Sequence, residues 1–270
     1  MESFTQFSPG LHQSALMTQL QGNLLVQGAS RGIGLAMAEH LLEHSGVERV
    51  IATSRVPKSS EALTELRDRS DGRLVLVPMD VTDDASIARA AETVRGHADS
   101  LDGVINTAGI LHDPEGNIGP EKRVEQLDAA ALERVFRVNA FGPMLMGKHF
   151  FALLRHKRPA FFGTLSARVG SIEDNHLGGW YSYRASKAAQ NQFTRTFAVE
   201  AARRARNLRV LALHPGTTDT DLSAPFQRNV PEGKLFSTAF VAERLLDVIA
   251  NTDVSDSGSF LDWDHQRIPW

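Results

Sequence analysis

The chain has 270 residues, with 29 lysines and arginines against 32 aspartates and glutamates, and a formal net charge of −3. A chain of this length can bury enough apolar surface to fold without disulfides or a structural metal. A charge this close to zero argues against general binding to nucleic acid or to an anionic membrane surface. Because the sequence contains no cysteine, it excludes disulfides, thiolate nucleophiles and iron–sulfur clusters. The absence of cysteine is consistent with a reducing compartment, and we expect a cytoplasmic protein.

The first residues differ in pattern from the rest. Residues 1–20 are polar, contain Pro9 and Gly10, and lack the basic start and continuous apolar stretch of a secretion signal. No apolar run reaches the roughly 18 residues that a membrane span requires. We expect residues 1–20 to be a loose extension and residues 21–270 to form a single catalytic domain.

From residue 23 onward, short apolar runs alternate with longer segments of helical periodicity. The predicted strands are 24–26, 50–52, 74–77, 101–106, 161–165, 208–213 and 258–261. The predicted helices are 35–44, 60–69, 84–95, 129–155, 186–204 and 240–250. The strands are apolar on both faces, which is typical of a buried parallel sheet. The pattern therefore predicts an α/β fold with a doubly wound, seven-stranded parallel sheet and helices on both faces.

Three segments are irregular: 111–126, 166–181 and 217–237. Loops of this length in a compact α/β domain are usually functional, and the last two follow strands at the carboxyl edge where such sheets bind ligands. We expect them to shape a substrate site. Phe226, Leu235 and Phe236 either form a lid over substrate or pack permanently on the surface.

A glycine-rich turn follows the first predicted strand and opens the first helix. Gly28, Gly32 and Gly34 have the spacing G-x-x-x-G-x-G, and Ser30, Arg31 and Ile33 lie between them. Glycines permit a tight turn and a close backbone approach, and the helix N-terminus offers unpaired N–H groups to a phosphate. The turn predicts a dinucleotide site.

The end of the second strand bears on the choice of cofactor. It carries Arg55 and no carboxylate that would bind a ribose 2′-hydroxyl. Arg55, together with Arg31, would attract a 2′-phosphate, so NADP(H) is favoured and NAD(H) is possible. The alternative is that Arg55 is a solvated surface residue.

A tyrosine and a lysine lie four residues apart at Tyr183 and Lys187, on one face of a predicted helix. An adjacent ammonium favours the phenolate and would bring a phenol toward the range needed for proton transfer. Ser166 ends the fifth strand, and Asn139 lies inside the long helix 129–155. A tyrosine and a lysine at this spacing are by themselves weak evidence for an active site, because chance often produces such a pair.

The ordered set of motifs resembles the short-chain dehydrogenase/reductase superfamily over nearly the whole chain from about residue 24. The matching elements are Gly28/Gly32/Gly34, Asp80-Val81, Asn106-Thr107-Ala108-Gly109, Asn139, Ser166, Tyr183/Lys187, Pro215-Gly216 and Thr220. The segments 166–171, 178–183 and 262–264 are similar to the C-factor (C-signal) branch, close to sniffer-type carbonyl reductases. The resemblance implies a single-domain Rossmann fold and a homodimer or homotetramer formed through helices 129–155 and 186–204.

The resemblance also implies residue roles. Tyr183 would be the general acid/base, with Ser166 hydrogen-bonding the substrate oxygen. Lys187 would lower the pKa of Tyr183 and contact the ribose, while Asn139 would hold a water. Asp80 would contact the adenine, Asn106 and Gly109 would line the groove, and Thr220 would bind the carboxamide. The reaction expected is reduction of a small carbonyl compound to an alcohol.

Some features depart from the family pattern or allow other interpretations. Thr107 replaces the usual asparagine, and Ser166 and Tyr183 are 17 positions apart, which enlarges the loop between them. Tyr181 is a rival acid without a lysine four residues later. His40 and His44 match a zinc-peptidase spacing, but a helix surface is far the better interpretation, so no metal is expected. An NAD-dependent alcohol dehydrogenase and a dinucleotide-binding, C-signal-like regulatory protein remain open as alternative functions.

Overall fold

The computed structural model describes residues 20–114, 116 and 118–270. Its strands are β1 (Gly22–Gln27), β2 (Val47–Ser54), β3 (Leu74–Pro78), β4 (Gly103–Asn106), β5 (Ala160–Leu165), β6 (Leu208–His214), β7 (Thr217–Thr218), β8 (Leu235–Phe236) and β9 (Phe260–Asp262). Within the described residues, seven of them form one sheet in the order β3-β2-β1-β4-β5-β6-β9, with every neighbouring pair parallel. The predicted doubly wound parallel sheet is confirmed.

The α-helices are α1 (Gly32–Glu43), α2 (Glu61–Asp68), α3 (Asp84–Arg95), α4 (Ala129–Phe136), α5 (Gly142–Leu154), α6 (Tyr181–Arg204) and α7 (Thr238–Ala250). Two differ from the prediction. The predicted helix 129–155 is interrupted by a π-helical turn at Arg137–Phe141, and the helix predicted to begin at residue 186 begins at Tyr181. Two short strands, β7 and β8, pair in the segment predicted to be irregular.

The sheet separates two hydrophobic cores because successive strand side chains point to opposite faces. In β1, Leu24 and Val26 pack with α1 and α7, whereas Leu25 packs on the other face with α3, α5 and α6. Leu20, the last residue of the predicted loose extension, is buried in the first of these cores. The rest of that extension lies outside the described residues.

The strand order creates a crevice between β1 and β4. The chain runs from β1 outward to β3 and then returns to place β4 on the opposite side of β1. In register, Gln27 at the end of β1 lies beside Asn106 at the end of β4. The loops that leave these two ends diverge, and open α/β sheets bind ligands at such a point.

Candidate active site

The glycine turn connects β1 to α1 and has a conformation that requires glycine. Gly28 and Gly32 have φ of +84° and +58°. A Cβ on Gly28 would lie 2.7 Å from the Thr107 Oγ1, and a Cβ on Gly34 would lie 2.4 Å from the Gly28 carbonyl oxygen. At the N-cap position of α1, Arg31 makes no side-chain capping hydrogen bond, so the first N–H groups of the helix are left for an anion.

The segment after β4 forms the other wall of the crevice. The Thr107 hydroxyl donates to the Gln27 carbonyl at 2.7 Å, and the Ala108 N–H donates to the Gln27 side chain at 3.1 Å. Thr107, the departure from the family pattern, thus ties this segment to the glycine turn. Asn106 is buried and donates to the Gly163 carbonyl at 3.1 Å.

Several buried polar atoms at this edge lack a protein partner among the described residues. They are the Asn106 Oδ1, the Thr53 Oγ1 and the Ser54 Oγ, at the carboxyl ends of β4 and β2. Buried polar atoms are ordinarily hydrogen-bonded, so such atoms beside an open crevice indicate a polar ligand. There is open space beside Gly32, where an added Cβ would meet only the Thr220 methyl carbon at 3.6 Å. The unpaired polar atoms and this space fit a dinucleotide.

The residues predicted to contact the adenosine half lie around the ends of β2 and β3. Arg55 is exposed, and the Asp80 carboxylate accepts from the Thr82 N–H and hydroxyl at 2.9 and 2.7 Å. Val81 is buried in the core. Arg31 forms an ion pair of 2.8 Å with Asp221, so its guanidinium bridges the glycine turn and the segment after β6.

Tyr183, Lys187 and Ser166 are all buried. Tyr183 lies in the first turn of α6, and the Lys187 Nζ lies 5.9 Å from the centre of its ring. The Ser166 hydroxyl donates to the Asn191 Oδ1 at 2.6 Å. A Cβ placed on Gly109 would be 3.6 Å from the Lys187 Nζ, so the amine lies beside the segment that lines the crevice.

Asn139 is completely buried in the π-helical turn. Its side-chain oxygen accepts from the Ile110 N–H at 2.8 Å, and its amide nitrogen donates to the Ile110 carbonyl at 2.8 Å and the Ser186 Oγ at 3.1 Å. The side chain therefore joins the segment after β4 to α6. Its expected role in holding a water stays a prediction.

Burial controls the proton affinities in this group. It raises the pKa of Tyr183 above its ordinary value of 10.0 and lowers the pKa of Lys187 from 10.5 to about 7. The phenol consequently retains its proton at neutral pH, and the amine exchanges its proton near neutrality. A lowering of the Tyr183 pKa by Lys187 stays a prediction for the complex with a dinucleotide.

Sequence reasoning missed three polar residues around this group. Gln190 and Asn191 are buried one turn beyond Lys187, and the buried Glu121 accepts hydrogen bonds from the Ser182 hydroxyl and N–H. The polar periodicity of 183, 186, 187, 190, 191 and 194 along α6 was a usable signal for the first two. Glu121 gave no local signal, because it caps a helix 60 positions later.

Aromatic rings form the wall next to Tyr183. The ring centre of Trp180 lies 6.2 Å from that of Tyr183 and 5.2 Å from that of Phe226. The ring centres of Phe226 and His112 are 6.0 Å apart. These residues come from all three segments predicted to be irregular. Phe236 packs instead against Phe240 and Trp263, and β8 pairs with β7, which anchors that part of the third segment to the domain.

The turn that follows β6 packs against Phe236. A Cβ on Gly216, with φ of +71°, would lie 2.8 Å from the Phe236 ring, so the turn at Pro215-Gly216 requires glycine. Thr220 follows, with its hydroxyl directed at the Thr218 carbonyl at 3.4 Å. The Thr220 methyl carbon would lie 3.6 Å from a Cβ added to Gly32, so Thr220 is close to the glycine turn. Its contact with the carboxamide stays a prediction.

Comparison with known proteins identifies the family. Residues 23–231 match the model of the short chain dehydrogenase family. The chain belongs to this family. The resemblance found from the sequence is thereby confirmed, and membership supports an oxidoreductase activity.

Individual relatives cover nearly all of this short-chain dehydrogenase. The cis-4-hydroxycyclohexanecarboxylate dehydrogenase of Sinomonas cyclohexanicum is 32% identical over 248 residues, covering 88% of this chain and 90% of its own. The NADPH-bound carbonyl reductase from chicken fatty liver is 31% identical with a TM-score of 0.81, covering 93% and 100%. The carbonyl reductase Sniffer of D. melanogaster shares the fold, with a TM-score of 0.82 over 93% and 100% of the chains at 20% identity.

The described residues contain neither a metal-binding cluster nor a membrane-spanning helix. No group of three or more histidines and carboxylates is arranged there to hold a metal ion. None of the helices in the described ranges combines the length and apolar character needed to cross a bilayer.

Proposed function

We propose that the protein is an NADPH-dependent carbonyl reductase that converts apolar aldehydes or ketones to alcohols. The observation that carries the proposal is the buried Tyr183 phenol, paired with Lys187 and next to the crevice between β1 and β4. A protein that only bound a dinucleotide and passed a signal to a partner would not need this proton-transfer group. The NADPH-bound state of the chicken carbonyl reductase supports the cofactor.

The residues divide the chemistry as follows. When bound, NADPH supplies a hydride to the carbonyl carbon. Tyr183, whose phenol is protonated at neutral pH, donates its proton to the carbonyl oxygen. The Ser166 hydroxyl, which donates to Asn191 in this structure, turns to the same oxygen. The ammonium form of Lys187 then stabilises the phenolate left on Tyr183.

Cofactor selection rests on charge. Arg55 is exposed at the end of β2, where a 2′-phosphate would add two negative charges to the adenosine ribose. Arg31 supplies a second guanidinium if it exchanges its ion pair with Asp221 for the phosphate. An NAD-dependent alcohol dehydrogenase is the alternative, and the ratio of NADPH to NADH affinity distinguishes the two.

The aromatic wall supports an apolar substrate class. Trp180 packs edge-on against Tyr183 and Phe226 packs against Trp180, so aromatic rings border the proposed proton donor and favour apolar, aromatic carbonyl compounds. We expect purified protein to oxidise NADPH faster with benzil or a para-quinone than with an aliphatic ketone of similar size. The proposal fails if no carbonyl compound in such a panel raises NADPH oxidation above that of a Tyr183→Phe variant.

Assembly and location belong to the same proposal. An apolar groove lies between α5 and α6, reaches β5 at Phe162, and is lined by Met144, Phe151, Phe193 and Phe197. A second copy would cover it in a homodimer or homotetramer. Light scattering should give two or four copies, and Phe193→Glu should yield monomers; a monomeric wild type would contradict the assembly. The absence of cysteine supports a cytoplasmic location.

A further inference from the structure

A buried amide contacts the catalytic amine from the next turn of α6. Gln190 has only 1% of its surface exposed. Its Oε1 accepts from the Lys187 Nζ at 2.9 Å, and its Nε2 donates to the Leu165 carbonyl oxygen at 3.0 Å. The Lys187 Nζ donates to that same carbonyl at 2.7 Å. Three hydrogen bonds thus form a closed triangle.

We propose that Gln190 is a positioning residue of the reaction, which holds the Lys187 amine beside Tyr183 and stabilises its charged form. The inference rests on the proposed function, because it assigns Gln190 a part in the proton transfer made by Tyr183. An amide suits the position because it is an acceptor toward the amine and a donor toward the strand. Neither end of the side chain is left unpaired.

The location of the triangle explains why it affects the reaction. Leu165 is the last residue of β5 and precedes Ser166. Gln190 therefore fixes α6 to the strand end that carries Ser166. Displacement of a reacting group by about 1 Å can lower a rate on the order of 100-fold.

Because few other polar groups contact the Lys187 amine, Gln190 has a large effect on the protonation of Lys187. The ring of Tyr183, on the same helix, is the titratable group against the amine. Among the described residues, the Leu165 carbonyl and Gly109 lie next to the Lys187 amine from other elements, and Gly170 packs against its Cβ; none of these groups carries a charge. A neutral acceptor that favours the ammonium, in a site where burial opposes it, has a direct effect on the proton equilibrium.

Two substitutions with opposite expected effects test the proposal. Gln190→Leu keeps approximate size and removes the acceptor, so the Lys187-dependent limb of the pH–rate profile should move about one pH unit lower. Gln190→Glu adds a carboxylate, so the same limb should move about one unit higher. We expect Gln190→Leu to lower kcat about 10-fold at pH 7, with the KM for NADPH little changed.

Gln192 provides the matched control, because it is exposed on the same helix. Gln192→Leu and Gln192→Glu should leave the pH profile unchanged. Shifts of the same sign in both Gln190 variants, or no shift in either, would overturn the proposal. If Gln190→Leu does not fold, Gln190→Met supplies the same comparison with a more flexible side chain.

A readout without substrate separates this inference from the proposed function. Unfolding by urea across pH 6 to 9 reports the proton affinity of Lys187 in the folded chain. Opposite displacements of this pH dependence by Gln190→Leu and Gln190→Glu, and their loss in a Lys187→Met background, support the contact even if no carbonyl compound is reduced. Unchanged pH dependence in both variants contradicts it.

Discussion

Replacing Lys187 by methionine should change how the stability of the protein depends on pH. The Lys187 amine is 3% exposed, and burial lowers its pKa from 10.5 to about 7. In the unfolded chain the amine is solvated and has its ordinary pKa. At a pH between the folded pKa of about 7 and the unfolded pKa of 10.5, the Lys187 amine is protonated in the unfolded chain and neutral in the folded chain.

The sign and size follow from linkage. Below pH 7 both states are protonated and Lys187 adds no pH dependence, whereas above pH 7 the free energy of unfolding rises with pH because the unfolded state binds more protons. At about 1.4 kcal/mol per pH unit, and with the transition centred on the folded pKa, the wild type gains about 2 kcal/mol between pH 7 and pH 9. Tyr183 acts in the opposite direction, but only above about pH 10, where the unfolded phenol begins to ionise.

The assay is urea unfolding of the wild type and of Lys187→Met at pH 6, 7, 8 and 9. The difference in unfolding free energy, wild type minus variant, should be flat up to about pH 7 and then rise by about 2 kcal/mol by pH 9. Lys58→Met, at an exposed lysine, is the control and should show no such rise. A Lys187 difference that stays flat or falls over this range would refute the argument that burial lowers its pKa.

Three further substitutions address the cofactor and the substrate oxygen. Arg55→Ala should weaken NADPH binding about 10- to 100-fold in calorimetry and leave NADH unchanged, because one charge-assisted contact is lost; an equal effect on both would remove Arg55 from cofactor selection. Gly34→Ala places a Cβ 2.4 Å from the Gly28 carbonyl oxygen and should cost about 1–3 kcal/mol in unfolding free energy as well as dinucleotide affinity. Gly119→Ala, which meets nothing within 4 Å, is its control, and equal behaviour of the two would contradict the close approach. Ser166→Ala should lower kcat about 100-fold with NADPH affinity retained, whereas an unchanged kcat would show that Ser166 does not contact the reacting oxygen.

The strands and crossover helices were predictable because their signals are local. Apolar runs such as 161–165 and the helical periodicity of 84–95 lie within single windows of sequence. The glycine turn was predictable for the same reason, since Gly28, Gly32 and Gly34 lie within seven residues. The order β3-β2-β1-β4-β5-β6-β9 was not predicted, because several strand orders satisfy the requirement that parallel strands be joined by crossovers.

The features that escaped prediction depend on partners distant in sequence. The apolar pattern of 129–155 is continuous, so it does not reveal the π-helical turn that lets Asn139 bond with Ile110 and Ser186. The early start of α6 reflects the buried Glu121, which accepts from the Ser182 N–H at 3.2 Å from another loop. The ion pair of Arg31 with Asp221 likewise spans 190 positions. Such contacts form only after the sheet has brought these loops together.

The most direct test of the account uses Tyr183→Phe, which removes one hydroxyl from a buried ring. Turnover of a carbonyl compound and binding of NADPH should be measured on the same preparations of wild type and variant. Loss of the proton donor should lower kcat on the order of 100- to 10,000-fold, while the dissociation constant for NADPH stays within about twofold. Reduction at a near wild-type rate by the variant would contradict the assignment of Tyr183 as the group that protonates the substrate.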